Sequence, residues 1–129
     1  MNAMEKQVKQ LKDLGIFKFI VKNSRIDNVV IELEGGLLVA NVEFIHDYGG
    51  CVWKFFLTNH TDLQRLTKLL SFAGVTRFND LKERIVRVAF CNDFICGIGD
   101  PVKDKFIQTS GEEIGEVSEK QLEELQKKN

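Results

Sequence analysis

The residues able to do chemistry crowd into one stretch, VRVAFCNDFICGIGDPVKDKF (Val86–Phe106), which holds two of the three cysteines, a Gly-Ile-Gly and the single proline. A structural zinc commonly takes four ligands arranged as two close pairs. Cys91 and Cys96 have four residues between them, and Cys51, His46 and His60 supply no second pair, so no metal is expected. A nucleophilic thiol needs a base or a helix N-terminus beside it, and the sequence places neither, so no catalytic residue is assigned. Gly97-Ile98-Gly99 lacks the strand, glycine turn and helix of a dinucleotide fingerprint, because Pro101 and Lys103-Asp104-Lys105 follow it. Two readings remain. In one, Gly97 and Gly99 let a ring or a second backbone come close, and Pro101 turns the chain out of the sheet. In the other, the loop binds a small anion. Backbone N–H groups at Gly97 and Gly99 would face the ligand, with Lys103 and Lys105 as point charges. Arg87 would add a planar fork, and Phe106 or Phe78 a ring to stack on a base.

These residues need a hairpin to hold them. With Asn92-Asp93 as a two-residue turn, Cys91 faces Phe94, Phe90 faces Ile95, Ala89 faces Cys96 and Arg87 faces Ile98. Other clusters offer less. Neighbouring strand residues point to opposite faces, so His46 and Asp47 do not form a base and its orienter. A turn at Gly35-Gly36 sets Glu34 opposite Leu37 and Glu32 opposite Val39, which leaves Glu43 distant and gives no paired-carboxylate catalyst.

The remaining elements follow from periodicity. Met4, Val8, Leu11 and Leu14 mark a short amphipathic N-terminal helix stopped by Gly15. Ile16–Val21 reads as a first strand, followed by strands at Ile26–Glu34, Leu37–His46 and Cys51–Thr58. Thr61 and Gln64 have the spacing of a capping box, opening a helix over 61–73 with Leu63, Leu66, Leu69, Leu70 and Ala73 as its apolar stripe. Strands at Arg84–Cys91 and Phe94–Gly99 close the sheet. The expected fold is α+β: a mainly antiparallel sheet of five to six strands, one packed amphipathic helix (61–73), a short N-terminal helix and a polar C-terminal helix or tail. Residues 1–110 form one domain. Residues 111–129 form an acidic helix or tail, in which Ser118 is placed to cap a helix.

The 129 residues carry a formal net charge of -1, so the basic excess of a nucleic-acid binder is missing. An odd cysteine count and no apolar leader point to reduced thiols in a cytoplasm, and no apolar run reaches the ~18 residues of a membrane span. Phe17, Phe19, Trp53, Phe55 and Phe56 crowd both faces of their strands. In an open sheet that leaves an apolar patch, and a homo-oligomer is expected.

The order of features from Tyr48 to Phe106 resembles a widespread family of small uncharacterised phage and prophage proteins. Tyr48-Gly49-Gly50 is similar to the family's Gly-Gly strand, Leu81-Lys82 to its Trp-x-x-Leu-Lys-Gly, Val86-Arg87-Val88 to its Val-Arg-Val, and Ile98-Gly99 with Lys103–Phe106 to its Ile-Gly-His-x-x-x-Asp-x-Trp-Phe. Phe78 stands where the family has Trp, Glu83 where it has Gly, and Asp100-Pro101 where it has His and its neighbour. The resemblance implies a mobile element in a bacterium. The expected function is a non-enzymatic binding protein in the host cytoplasm, without a cofactor, that antagonises a defence system. It would do so by binding a defence protein or by sequestering a nucleotide signal. The alternatives are a small nucleotide-handling enzyme using the Gly97–Lys105 loop, or an assembly component of a mobile element.

Overall fold

The computed structural model describes residues 2–7, 17–47, 49–111 and 114–128. The expected helix through Val8, Leu11 and Leu14 lies mostly outside them. Residues 3–7 are helical, and the Asn2 side chain accepts from the Glu5 N–H. The rest is an α+β fold built on one six-stranded antiparallel sheet in the order β3-β2-β1-β4-β5-β6. The strands are β1 (Phe19–Glu34), β2 (Leu37–His46), β3 (Gly49–Phe56), β4 (Ile85–Cys91), β5 (Phe94–Gly99) and β6 (Phe106–Gln108). Helix α1 (His60–Ala73) joins β3 to the second half of the sheet, and α2 (Glu119–Lys128) ends the chain.

The two strands expected at Ile16–Val21 and Ile26–Glu34 are one strand of 16 residues. The polar run Lys22–Arg25 reads as a break, yet Asn23 and Ser24 pair with Arg87 and Val86 of β4, and Ser24 is buried. β1 serves two ladders in succession: Phe19–Arg25 pair with β4, and Arg25–Glu34 pair with β2. Within β1, Arg25 alone has a strand partner on both sides. A bulge at Asp27, between Ile26 and Asn28, bends the strand where the ladders meet. The tip of the β1–β2 hairpin therefore projects as an arm, with Leu33 71% exposed.

The sheet buries both faces of its β4–β6 half. On the helix face, α1 covers Val42, Phe44, Trp53, Phe55, Val86, Val88 and Ile98 with Leu69, Phe72 and Ala73. On the reverse face, Leu122 of α2 closes a second core with Ala89, Cys91, Cys96 and Phe106, and Phe17, Phe19, Val21 and Val117 pack against it. The aromatic excess goes into these two cores. Of the residues expected to form a patch, Phe56 alone is exposed.

Helix α1 starts one residue before the expected position and by another device. Asn59, not Thr61, is the N-cap, accepting from the Asp62 N–H at 3.0 Å, while Asp62 accepts from the Phe56 N–H at 2.9 Å. Asp62 thus ties the helix to β3, which a Thr61–Gln64 box would not do. Leu63 leaves the apolar stripe and Phe72 joins it. Arg65 is buried as well. Its guanidinium donates to the carbonyls of Gln108 and Gly111 and lies 3.4 Å from Asp62, fastening α1 to the far edge of the sheet. At α2 the expected cap is present: Ser118 Oγ accepts from the Gln121 N–H and Gln121 Oε1 from the Ser118 N–H, a reciprocal box. No helix among the described residues is long and apolar enough to cross a membrane.

Candidate functional site

The β4–β5 turn is as expected. Asn92 and Asp93 both have positive φ, at 50° and 73°, which is the signature of a two-residue turn matched to sheet twist. Cys91 faces Phe94 and Phe90 faces Ile95. Beyond that pair the expected register fails, because Cys96 is an extra, bulged residue. Ala89 faces Gly97, not Cys96, and Arg87 faces Gly99, not Ile98. The bulge returns Ile98 to the helix-face core and turns Gly97 and Gly99 to the reverse face. A Cβ at Gly97 would lie 2.5 Å from Leu122 Cδ2, and one at Gly99 2.5 Å from the Phe106 ring. The glycines are the floor on which α2 and Phe106 sit.

The rest of the Gly97–Lys105 loop also serves that docking. The Asp100 carboxylate accepts from the N–H groups of Val102 (2.8 Å) and Lys103 (2.9 Å), so the chain's own anion fills the cradle. Burial raises the pKa of Asp100, but those two N–H groups and the charges of Lys103 and Lys105 outweigh it and hold the carboxyl below its ordinary value. Asp104 caps α2 by accepting from the Glu119 N–H at 2.7 Å. Lys105 lies 3.8 Å from Glu116, which also accepts from Lys68 of α1. Phe106 is fully buried. Arg87 stands apart, on a shallow polar depression of the reverse face with Asn23, Asp47 and Glu119. The six residues expected to form an anion site therefore divide among a core, an exposed loop and a separate depression.

A different group of residues forms a cleft of about 450 Å³ on the helix face, at the start of β1. Lys18, Ile20 and Lys22 lie at strand period two along one wall. Phe90 of β4, His46 of β2, and Gly50 and Cys51 of β3 form the rest, with Asp93 at the rim. The His46 and Phe90 rings pack at 4.9 Å with planes tilted 60°. Asn92 fixes the Lys18 backbone, accepting its N–H at 2.8 Å and donating to its carbonyl at 2.9 Å. Lys22 is 3.9 Å from Asp47, whose side chain is well exposed, so that pair is screened. Burial pushes the Cys51 thiol above its ordinary value, so it stays protonated at neutral pH and is a poor nucleophile.

The sequence carried a signal for this cleft in the Lys-x-Ile-x-Lys alternation. Its other walls come from β2, β3 and β4, which only the fold brings together. His46 lines the cleft, whereas Asp47, in the turn after β2, lines the depression that also holds Lys22, Asn23 and Arg87. Glu32 and Glu34 face Val39 and Leu37 as expected, and share the Asn41 amide at 2.9 and 3.0 Å. Among the described residues, no three His, Cys, Asp or Glu side chains cluster as metal ligands would. Compared with known protein families, curated proteins and solved structures, the chain matches none of them.

Proposed function

We propose that this chain is a non-enzymatic binding protein whose β1 cleft takes a small aromatic anion of the nucleotide class. The observation that carries the reading is the placement of Lys18 and Lys22 on one strand face beside the His46–Phe90 ring pair. A base stacked on such rings gains about 1–3 kcal/mol. Two ammonium groups supply the charge for phosphate, and Asp93 supplies an acceptor for a donor on the base or sugar. Gly50 leaves the mouth without a side chain. The protonated Cys51 thiol supports binding over covalent chemistry.

The test is calorimetry and thermal shift against mono-, di- and cyclic nucleotides. A ligand at a hundredfold excess over its Kd stabilises the fold by about 2.7 kcal/mol. Lys22→Ala and Lys18→Ala each weaken it at least tenfold. Wild-type protein that no nucleotide stabilises would end this reading.

A second reading, docking on a protein, is favoured by the arm. There Ile31, Leu33 and Leu38 share the helix face and are 48%, 71% and 43% exposed. The phage setting implied by the resemblance separates the two. In cells carrying a panel of defence systems, a nucleotide-sequestering antagonist loses phage rescue with Lys18→Ala/Lys22→Ala. A docking antagonist loses it with Ile31→Lys/Leu33→Lys.

A further inference from the structure

The two edges of the sheet are treated differently. At β6, Phe106 exchanges both backbone hydrogen bonds with Val117, at 2.7 and 2.8 Å, which closes that edge. β3 is the other edge, eight residues long. Its ladder fixes which groups face out. The Leu57 N–H donates to the carbonyl of Leu38 directly opposite, so by alternation Phe55, Trp53 and Cys51 also bond β2. Phe56, Lys54, Val52 and Gly50 then turn their N–H and C=O groups outward. Phe56 obeys this rule, since its N–H goes to Asp62 and its carbonyl accepts from the Asn59 N–H. Gly50, Val52 and Lys54 present theirs to solvent, and the Val52 side chain is 49% exposed. A lysine on an edge ordinarily wards off another strand. Here Lys54 is bound to Glu34 of β1, which neutralises it.

We propose that β3 pairs with β3 of a second copy of this chain, antiparallel, with Val52 opposite Val52 on the two-fold axis. The outward groups are self-complementary in that register alone. Val52 pairs with Val52, and each Lys54 pairs with the Gly50 of the other copy, so all outward groups of the three residues are satisfied. The lysine stem also lies over a residue with no side chain. A register with Lys54 opposite Lys54 sets Val52 against Phe56, whose N–H and carbonyl are already taken by Asp62 and Asn59. One with Gly50 opposite Gly50 carries Lys54 past the end of the other strand. The contact is isologous and closes at two subunits, joining two sheets into one.

The test is light scattering at ~100 μM, well above ordinary interface affinities. The expected mass is twice the 14.8 kDa of one chain. Val52→Pro removes an N–H that β2 does not use, a change edge strands tolerate. Val52→Lys sets two ammonium groups on the axis. Each is expected to weaken the dimer at least tenfold with circular dichroism unchanged. If Val52→Pro fails to fold, Val52→Lys decides alone. Lys54→Ala is expected to leave the dimer in place. A monomeric wild type, or a dimer indifferent to both Val52 changes, overturns the pairing. A dimer that tightens on Lys54→Ala overturns the register.

Discussion

Leu122 Cδ2 occupies the space that any side chain at residue 97 would need, 2.5 Å from where its Cβ would stand. The C-terminal helix and the β5 strand are fitted to each other through that absence. Gly97→Ala should unseat α2, and Leu122→Ala, which truncates a fully buried side chain, should cost about 2–5 kcal/mol. The double variant should be less destabilised than the sum of the two, because the smaller residue 122 makes room for the methyl group. Urea denaturation of the four proteins measures the coupling. Strict additivity would show that the two residues do not share this contact.

Glu83 holds a φ of 74°, a left-handed conformation that favours glycine. Its N–H donates to the Ile26 carbonyl at 2.7 Å, so the strain secures the β1 bend. Its carboxylate pairs with Arg25 at 3.1 Å, an exposed bridge of small value. Glu83→Gly and Glu83→Ala both lose the bridge but differ in backbone strain. The glycine variant should be more stable than the alanine variant by about 1 kcal/mol in equilibrium unfolding.

Acid should loosen the C-terminal segment first. The hydrogen bond from Lys68, then the charges of Lys68 and Lys105, hold the Glu116 carboxyl below its ordinary 4.5 against a smaller opposing effect of burial. A carboxylate depressed in the folded state stabilises the fold above 4.5 and loses that contribution as pH falls through the lower, folded value. Hydrogen exchange at the Leu122 amide should therefore accelerate below that pH relative to the Leu69 amide in α1. Glu116→Gln should abolish the difference in pH response. Equal acceleration at both amides would show that the pair does not anchor the segment.

The three thiols should behave as structural groups. Cys91 and Cys96 are buried in the reverse-face core, and Cys91→Ala or Cys96→Ala should each cost roughly 1–2 kcal/mol. Cys51 should be the first thiol labelled by maleimide in the native protein. Its rate should still be climbing with pH beyond the ordinary 9.0, where an unperturbed thiol levels off. Stoichiometric zinc whose removal unfolds the protein would contradict this assignment.

Local chemistry was legible wherever neighbours in sequence settle it. The glycine turn at 35–36, the Asn92-Asp93 turn, the Ser118 cap and the period-two strands depend on dihedral preference and alternation. The α+β class followed from them. The sequence could also state that Gly97 and Gly99 admit something close. What approaches them is decided by residues outside the hairpin, Leu122 from α2 and the Phe106 ring, and by a bulge at Cys96 that local propensity does not encode. The same holds for β1. Its polar middle looks like a break, and it is a strand because β4 supplies backbone partners that make Asn23 and Ser24 worth extending. In the Gly97–Lys105 loop, expected to hold an anion, Lys103 and Lys105 stay exposed, and the N–H groups of Val102 and Lys103 are taken by the Asp100 carboxylate. The cleft of Lys18, Lys22, His46, Cys51 and Phe90 draws on four strands, and burial and juxtaposition of that kind exist only after the sheet has closed.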